Sequence, residues 1–207
     1  MISKTIIGNL NNFFLIKDKY FDTKNNTKRK TIKFPAKNLP KVIIQLVKKL
    51  KIDPNTIKTF KMEESDDRTT QSPHADTPYG QTTIIVPLKF SGKVYTISYK
   101  SHYYGNNKKG YKYRPNKKQY YKNEWLSKDH SKVSGITKTK FPRKFYKKYL
   151  SDYEIVNLHG LTVSKVFKWK VGKPIQLFSN QLHSGSAFEN SKRWIVIHYD
   201  HLPRNDR

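Results

Sequence analysis

Thr82-Thr83-Ile84-Ile85-Val86-Pro87-Leu88 and the run that follows it, Lys93-Val94-Tyr95-Thr96-Ile97-Ser98-Tyr99-Lys100, decide the fold class. Both are strand-sized and rich in β-branched and aromatic residues, and Phe90-Ser91-Gly92 between them reads as a hairpin connection. A second group of such runs covers Val163 to Lys170, Lys173 to Ser179 and Lys192 to Asp200, with Val171-Gly172 as a tight turn. Short strands in two groups, without alternating helices, indicate two packed antiparallel sheets rather than a parallel one. The expected fold is mainly β with a flanking N-terminal helix (α+β), a double-stranded β-helix or jelly roll.

Outside these groups the chain changes character. Residues 1–70 read as a helical and irregular support region. Phe13-Phe14-Leu15-Ile16 is a short apolar segment, and the polar run Asp22 to Lys30 reads as an exposed loop. Between Asn38 and Lys51, Ile43, Ile44, Leu46, Val47 and Leu50 recur at helical spacing, with Pro40 suited to the first turn and lysines to the last. The acidic cluster Glu63-Glu64-Ser65-Asp66-Asp67 reads as a solvated loop. Residues 71–100 and 160–201 form the jelly-roll core, and residues 101–150 a basic Tyr/Lys-rich insertion with a short helix near Phe145 to Tyr149. The whole, residues 1–207, is expected to be one domain.

Composition narrows the function. Forty-two Lys and Arg against 15 Asp and Glu give a formal net charge of +27. Such a surplus attracts polyanions, although an AT-rich coding sequence would enrich Lys, Asn, Ile and Tyr equally well. With 14% aromatic residues the chain can bury a core. The absence of cysteine excludes disulfides, thiolate metal sites and cysteine nucleophiles. No apolar run is long enough to span a bilayer, and the N-terminus lacks a signal-peptide pattern. A soluble, cytoplasmic protein is expected, in a host cytoplasm if the source is a phage or virus, as the Lys/Asn-rich chain suggests.

The chemistry-bearing residues begin just before the first strand group. In an extended segment His74 and Asp76, two apart, point to one side and can reach a common ion. Two imidazoles and one carboxylate hold Fe(II) on one face and leave the opposite positions open; His183 supplies the second imidazole. Ten residues later stands Arg193, whose planar fork suits a carboxylate. If residues 183–193 form a hairpin, Arg193 points into the barrel interior and Lys192 toward solvent. His198-Tyr199-Asp200 repeats the His-x-Asp pattern, but nothing downstream can complete a site.

In His74-Ala75-Asp76, His183 and Arg193 the chain resembles the Fe(II)/2-oxoglutarate-dependent oxygenases of the prolyl-hydroxylase-like type. Their pattern reads His-x-Asp, a long gap, His, a short gap, then Arg or Lys. Trp169 to Phe178 and Lys192 to Tyr199 also look like the family's strands around the distal histidine. The resemblance covers residues 72 to 89 and 165 to 200. It departs in its long gap from Asp76 to His183, and in Ile195, which stands where some members carry a serine. The resemblance implies Fe(II) held by His74, Asp76 and His183, with 2-oxoglutarate as co-substrate anchored by Arg193. Dioxygen is then the oxidant, and hydroxylation of an unidentified primary substrate the outcome.

Two other classes stay open on the residues alone. A non-catalytic nucleic-acid-binding protein would use the lysines and tyrosines of the insertion as a track for an acidic partner. A structural jelly roll with a vestigial site is the other. His102, His130 and His159 lack ligand spacing, Trp125, Trp169 and Trp194 suit a core, and Ser184 has no base arranged beside it.

Overall fold

A computed structural model describes residues 1–18, 29–35, 38–66, 70–76, 80–105, 111–113 and 132–200. The elements run α1 (Lys4–Asp18), β1 (Arg29–Phe34), α2 (Lys41–Lys49), β2 (Ile57–Ser65), β3 (His74–Ala75), β4 (Gln81–Phe90), β5 (Tyr95–Tyr103), β6 (Tyr111–Lys112), β7 (Val133–Ser134), α3 (Arg143–Tyr149), β8 (Val163–Lys168), β9 (Ile175–Phe178), β10 (Gln181–Gly185) and β11 (Lys192–Asp200). One sheet has the order β1-β2-β11-β4-β9. The other runs β6-β3-β10-β5-β7, with β8 also on β5. All these pairings are antiparallel.

Eight of the strands form the core: β2, β3, β4, β5, β8, β9, β10 and β11. Numbered one to eight in chain order, they give 1-8-3-6 in the first sheet and 2-7-4-5 in the second. That interleaving is the double-stranded β-helix, or jelly roll. Its connections correct the two expected hairpins, at Phe90-Ser91-Gly92 and at residues 183–193, while the tight turn expected at Val171-Gly172 is present, with the Lys173 N–H donating to the Lys170 carbonyl at 3.0 Å. The links β4 to β5, β8 to β9 and β10 to β11 each carry the chain from one sheet to the other. Gly172, in the β8–β9 turn, has φ +70, and a Cβ there would lie 3.0 Å from the Ile2 carbonyl oxygen. A side chain at that position would be strained.

Three apolar layers result. Alternate residues on the outer face of the first sheet, including Phe60, Met62, Ile84, Val86, Ile195 and Ile197, pack against α1 and α2. Ile43, Leu46 and Val47 of α2 keep the predicted helical spacing. The helix α1 was not predicted beyond an apolar patch. Gly8, Asn9, Asn11 and Asn12 are poor helix formers. Burial of Leu10 and Phe14, both fully enclosed, offsets that weakness at roughly 1.5–3 kcal/mol each.

Ile85, Val94, Trp169, Ile175, Leu177, Phe188, Trp194 and Val196 fill part of the space between the sheets. The outer face of the second sheet lies under Phe141, Leu150, Leu158 and Leu161, with α3 alongside.

The segment expected to be loop and support before residue 70 contributes β1 and β2. Lys30 is strand rather than loop, and Glu63 and Glu64 stand on β2. Glu63 is buried, so the acidic cluster is not simply a solvated loop. Tyr103 and Tyr111 stack with centroids 4.4 Å apart and, with Tyr113, belong to the buried layer. Residues 106–110 and 114–131 of the expected insertion, with Trp125 and His130 among them, lie outside the described residues, while the short helix expected near Phe145 to Tyr149 is α3.

Candidate metal centre

The register of β3 against β10 sets His74 directly opposite His183. Asp76 follows two residues after His74 and is pinned by its own N–H, which donates to the Ser179 carbonyl at 2.9 Å. Asp76 Oδ1 lies 3.4 Å from His74 Nε2, and Oδ2 lies 3.5 Å from His183 Nε2. One donor atom from each of the three residues fits within 4.8 Å of the others, the only such group of three among the described residues.

Each histidine is oriented by its second nitrogen. His74 Nδ1 lies 2.8 Å from the Ser72 carbonyl and His183 Nδ1 3.0 Å from that of Gln181. A carbonyl only accepts, so each Nδ1 carries a proton and Nε2 is the ring atom left to face Asp76. Metal-binding histidines are held by this same kind of outer hydrogen bond. Two imidazole lone pairs and a carboxylate aimed at one space favour a cation, and a metal ion there competes with a proton. The donor set therefore fits a divalent metal.

Electrostatics prepare the ligands. Burial pushes His183 down to about 4 despite the raising effect of Asp76, so its ring is neutral at physiological pH. For Asp76, burial works upward but is outweighed by His183, the His74 hydrogen bond and His198. Its carboxyl is held well below the usual carboxylate range. Thr83, fully buried on β4, donates to Asp76 Oδ2 at 3.2 Å. It has one proton to give, so the Ser179 hydroxyl at 2.9 Å and His198 Nδ1 at 3.0 Å donate to its oxygen.

The centre opens on a cavity of about 550 Å³ between the sheets, within the range of small-molecule sites. Trp169, Trp194, Ile85 and Val196 give it an apolar wall, and Lys33, Lys61, Lys112 and Lys192 stand around it.

Arg193 does not line this cavity. It lies on the other face of β11, with Nη2 2.8 Å from Glu64 Oε1, Nη1 3.0 Å from Asn11 Oδ1 and the guanidinium carbon 4.4 Å from the Phe14 ring centroid. The expected inward orientation assumed a hairpin. Because β10 and β11 belong to different sheets, the cavity face of β11 is Lys192, Trp194, Val196 and His198. Lys192 is thus buried rather than solvent-facing. Its Nζ sits 4.3, 5.3 and 5.5 Å from the ring centroids of Phe188, Trp194 and Trp169.

Sequence reasoning also missed His198 and Thr83. Of the repeated pair, His198 joins the centre through Thr83, while Asp200 faces Lys58 at 2.7 Å. Ser184 is tied to the Tyr99 hydroxyl at 2.8 Å. Trp169 and Trp194 are core rings. Neither His102, bonded to the Lys100 carbonyl, nor His159, which accepts from Phe141 N–H, reaches the centre. Among the described residues no helix is long and apolar enough to cross a membrane.

No family model matches the sequence, and no curated protein matches it either. Among solved structures, the non-heme α-ketoglutarate-dependent epimerase SnoN from nogalamycin biosynthesis aligns at a TM-score of 0.49 and 8% identity, over 96% of this chain and 75% of that one. The E. coli protein ycfD aligns at 0.43 and 14% identity, over 89% of this chain and 38% of that one. Recombinant oxalate oxidase in complex with glycolate aligns at 0.38 and 6% identity, and this chain spans only 56% of its length while 88% of this chain is covered. At such scores and identities these likenesses carry neither substrate nor chemistry across.

Proposed function

We propose that the protein is an Fe(II)- and 2-oxoglutarate-dependent dioxygenase that hydroxylates a substrate admitted to the cavity between its sheets. The observation that carries this reading is the convergence of His74 Nε2, Asp76 and His183 Nε2, with both Nδ1 atoms committed to main-chain carbonyls. Fe(II) held by these three residues, together with 2-oxoglutarate, supplies the activation of dioxygen that hydroxylation needs.

The rest falls to the chain. Lys192, rather than Arg193, takes the role of anchor for the distal carboxylate of 2-oxoglutarate, since it lines the cavity and Arg193 does not. Its ammonium acts as a point charge. The rings of Trp169, Phe188 and Trp194 around it keep water from screening that charge. Thr83 and His198 hold the Asp76 carboxylate in orientation. The apolar wall formed by Ile85, Trp194 and Val196 keeps the reaction space dry.

The test is succinate release with Fe(II), ascorbate and 2-oxoglutarate, screened over amino-acid, nucleobase and small-metabolite substrates. Substrate-stimulated succinate that disappears in His183→Ala supports the reading. Succinate formation undiminished in that variant removes it.

A further inference from the structure

The lysines around the cavity outnumber what the proposed co-substrate uses. Lys33 on β1 and Lys61 on β2 are direct register partners, and both line the cavity. Like charges placed directly opposite on neighbouring strands destabilise a sheet. On the facing sheet, Lys112 of β6 is the register partner of His74, so a third ammonium borders the metal ligands. Among the described residues that line the cavity, Lys33, Lys61, Lys112 and Lys192 stand against the carboxylates of Glu63 and Asp76, and Asp76 belongs to the metal centre.

We infer that the primary substrate carries an oxyanion, a phosphate or a carboxylate, seated between the Lys33–Lys61 pair and Lys112 at the mouth of the cavity. That the anion is a substrate rests on the dioxygenase reading; that an oxyanion binds there does not. Lys192, opposite Ser65 and four residues along β2 from Lys61, is enclosed by the rings of Phe188, Trp194 and Trp169 and serves the co-substrate. The seat therefore adds a second anion site to the same cavity. An anion bridging Lys33 and Lys61 also relieves their mutual repulsion, which gives the pairing a function that packing alone does not supply.

The experiment is calorimetric titration of the metal-free full-length protein with inorganic pyrophosphate and, separately, tricarballylate, in wild type, K33Q/K61Q and K48Q/K49Q. Lys48 and Lys49 are exposed on α2, outside the cavity, and removing them lowers the net charge equally. Loss of two charge-assisted contacts should weaken binding by about tenfold or more in K33Q/K61Q. The control should stay within about twofold of wild type. K33Q/K61Q should melt no lower than wild type, since it removes a like-charge pair. The probe that shows this pattern identifies the chemistry as phosphate or carboxylate. Equal weakening in both double variants, or no binding of either probe at low salt, overturns the inference. Mn(II)-dependent 2-oxoglutarate binding in the same variants separates the two readings. Its absence from wild type removes the dioxygenase proposal while the oxyanion seat stands on the pyrophosphate or tricarballylate result.

Discussion

His74 and His183 face each other across the β3–β10 pair, 109 residues apart in sequence, with ring centroids 4.4 Å apart. Neither ring can be exchanged without loss of the centre, because each presents Nε2 only while its Nδ1 is held by a carbonyl two residues earlier. His183→Ala and Asp76→Ala should therefore each reduce Mn(II) or Co(II) affinity by more than the roughly 10–100-fold that outer contacts are worth. Titration followed by cobalt absorbance checks this. Affinity within a few-fold of wild type would place the metal elsewhere.

The pairing explains which parts of the molecule were legible in the sequence. The spacing of His74 and Asp76 is local, and strand periodicity alone brings both to one side. The same holds for Ile43, Leu46 and Val47 on α2. The direction of Arg193 is not local. It depends on which sheet β11 joins, and the turn-like residues after His183 look the same whether they close a hairpin or cross between sheets. Helix α1 was obscured because its asparagines and glycine weaken the local signal, although Ile7, Leu10 and Phe14 hold the right spacing. Glu63 and Glu64 read as solvated because their burial depends on Arg193 and on a cavity assembled from distant strands. His198 was set aside as a ligand, and its contact with Thr83 requires β11 to lie beside β4.

Thr83 is the contact through which His198 and the Ser179 hydroxyl reach the Asp76 carboxylate. Thr83→Val keeps the shape and removes the hydroxyl, leaving buried polar partners unsatisfied at a cost of about 1–3 kcal/mol. Metal affinity should fall about tenfold, as for an outer contact to a ligand. Thr83→Ser should restore most of it. Urea denaturation and metal titration of the two variants give both numbers. Equal affinity in wild type and Thr83→Val would mean that Asp76 is oriented without this contact.

Acid should destabilise the metal-free protein before most carboxylates titrate. Burial depresses His183 to about 4 and lowers His198 as well. An unfolded histidine titrates near 6.5. Between these values the unfolded chain binds protons that the folded chain refuses, so stability is complete above about pH 6.5 and declines as pH falls toward 4. His183 alone accounts for about 3 kcal/mol at the lower limit. Urea midpoints at pH 7.5 and pH 4.5, in wild type and His183→Asn, measure this. A decline of equal size in both proteins would assign it to other groups.

Lys192 and Arg193 are neighbours in sequence with opposite duties, and their variants should separate cleanly. Lys192 lines the cavity within an aromatic enclosure. Lys192→Met keeps the apolar stem and removes the charge, so the protein should stay folded while its affinity for 2-oxoglutarate drops about tenfold or more. Arg193 ties β11 to β2 and α1 through Glu64 and Asn11. Arg193→Ala leaves Glu64 without its partner at a cost of about 3 kcal/mol. The melting temperature should then fall by roughly 6–12 °C. Below that temperature, 2-oxoglutarate affinity should match wild type. Thermal melts together with 2-oxoglutarate titration in the presence of Mn(II) distinguish the two. If Arg193→Ala instead loses 2-oxoglutarate binding with its melting temperature intact, the anchor is Arg193 after all and the face of β11 must be reassigned.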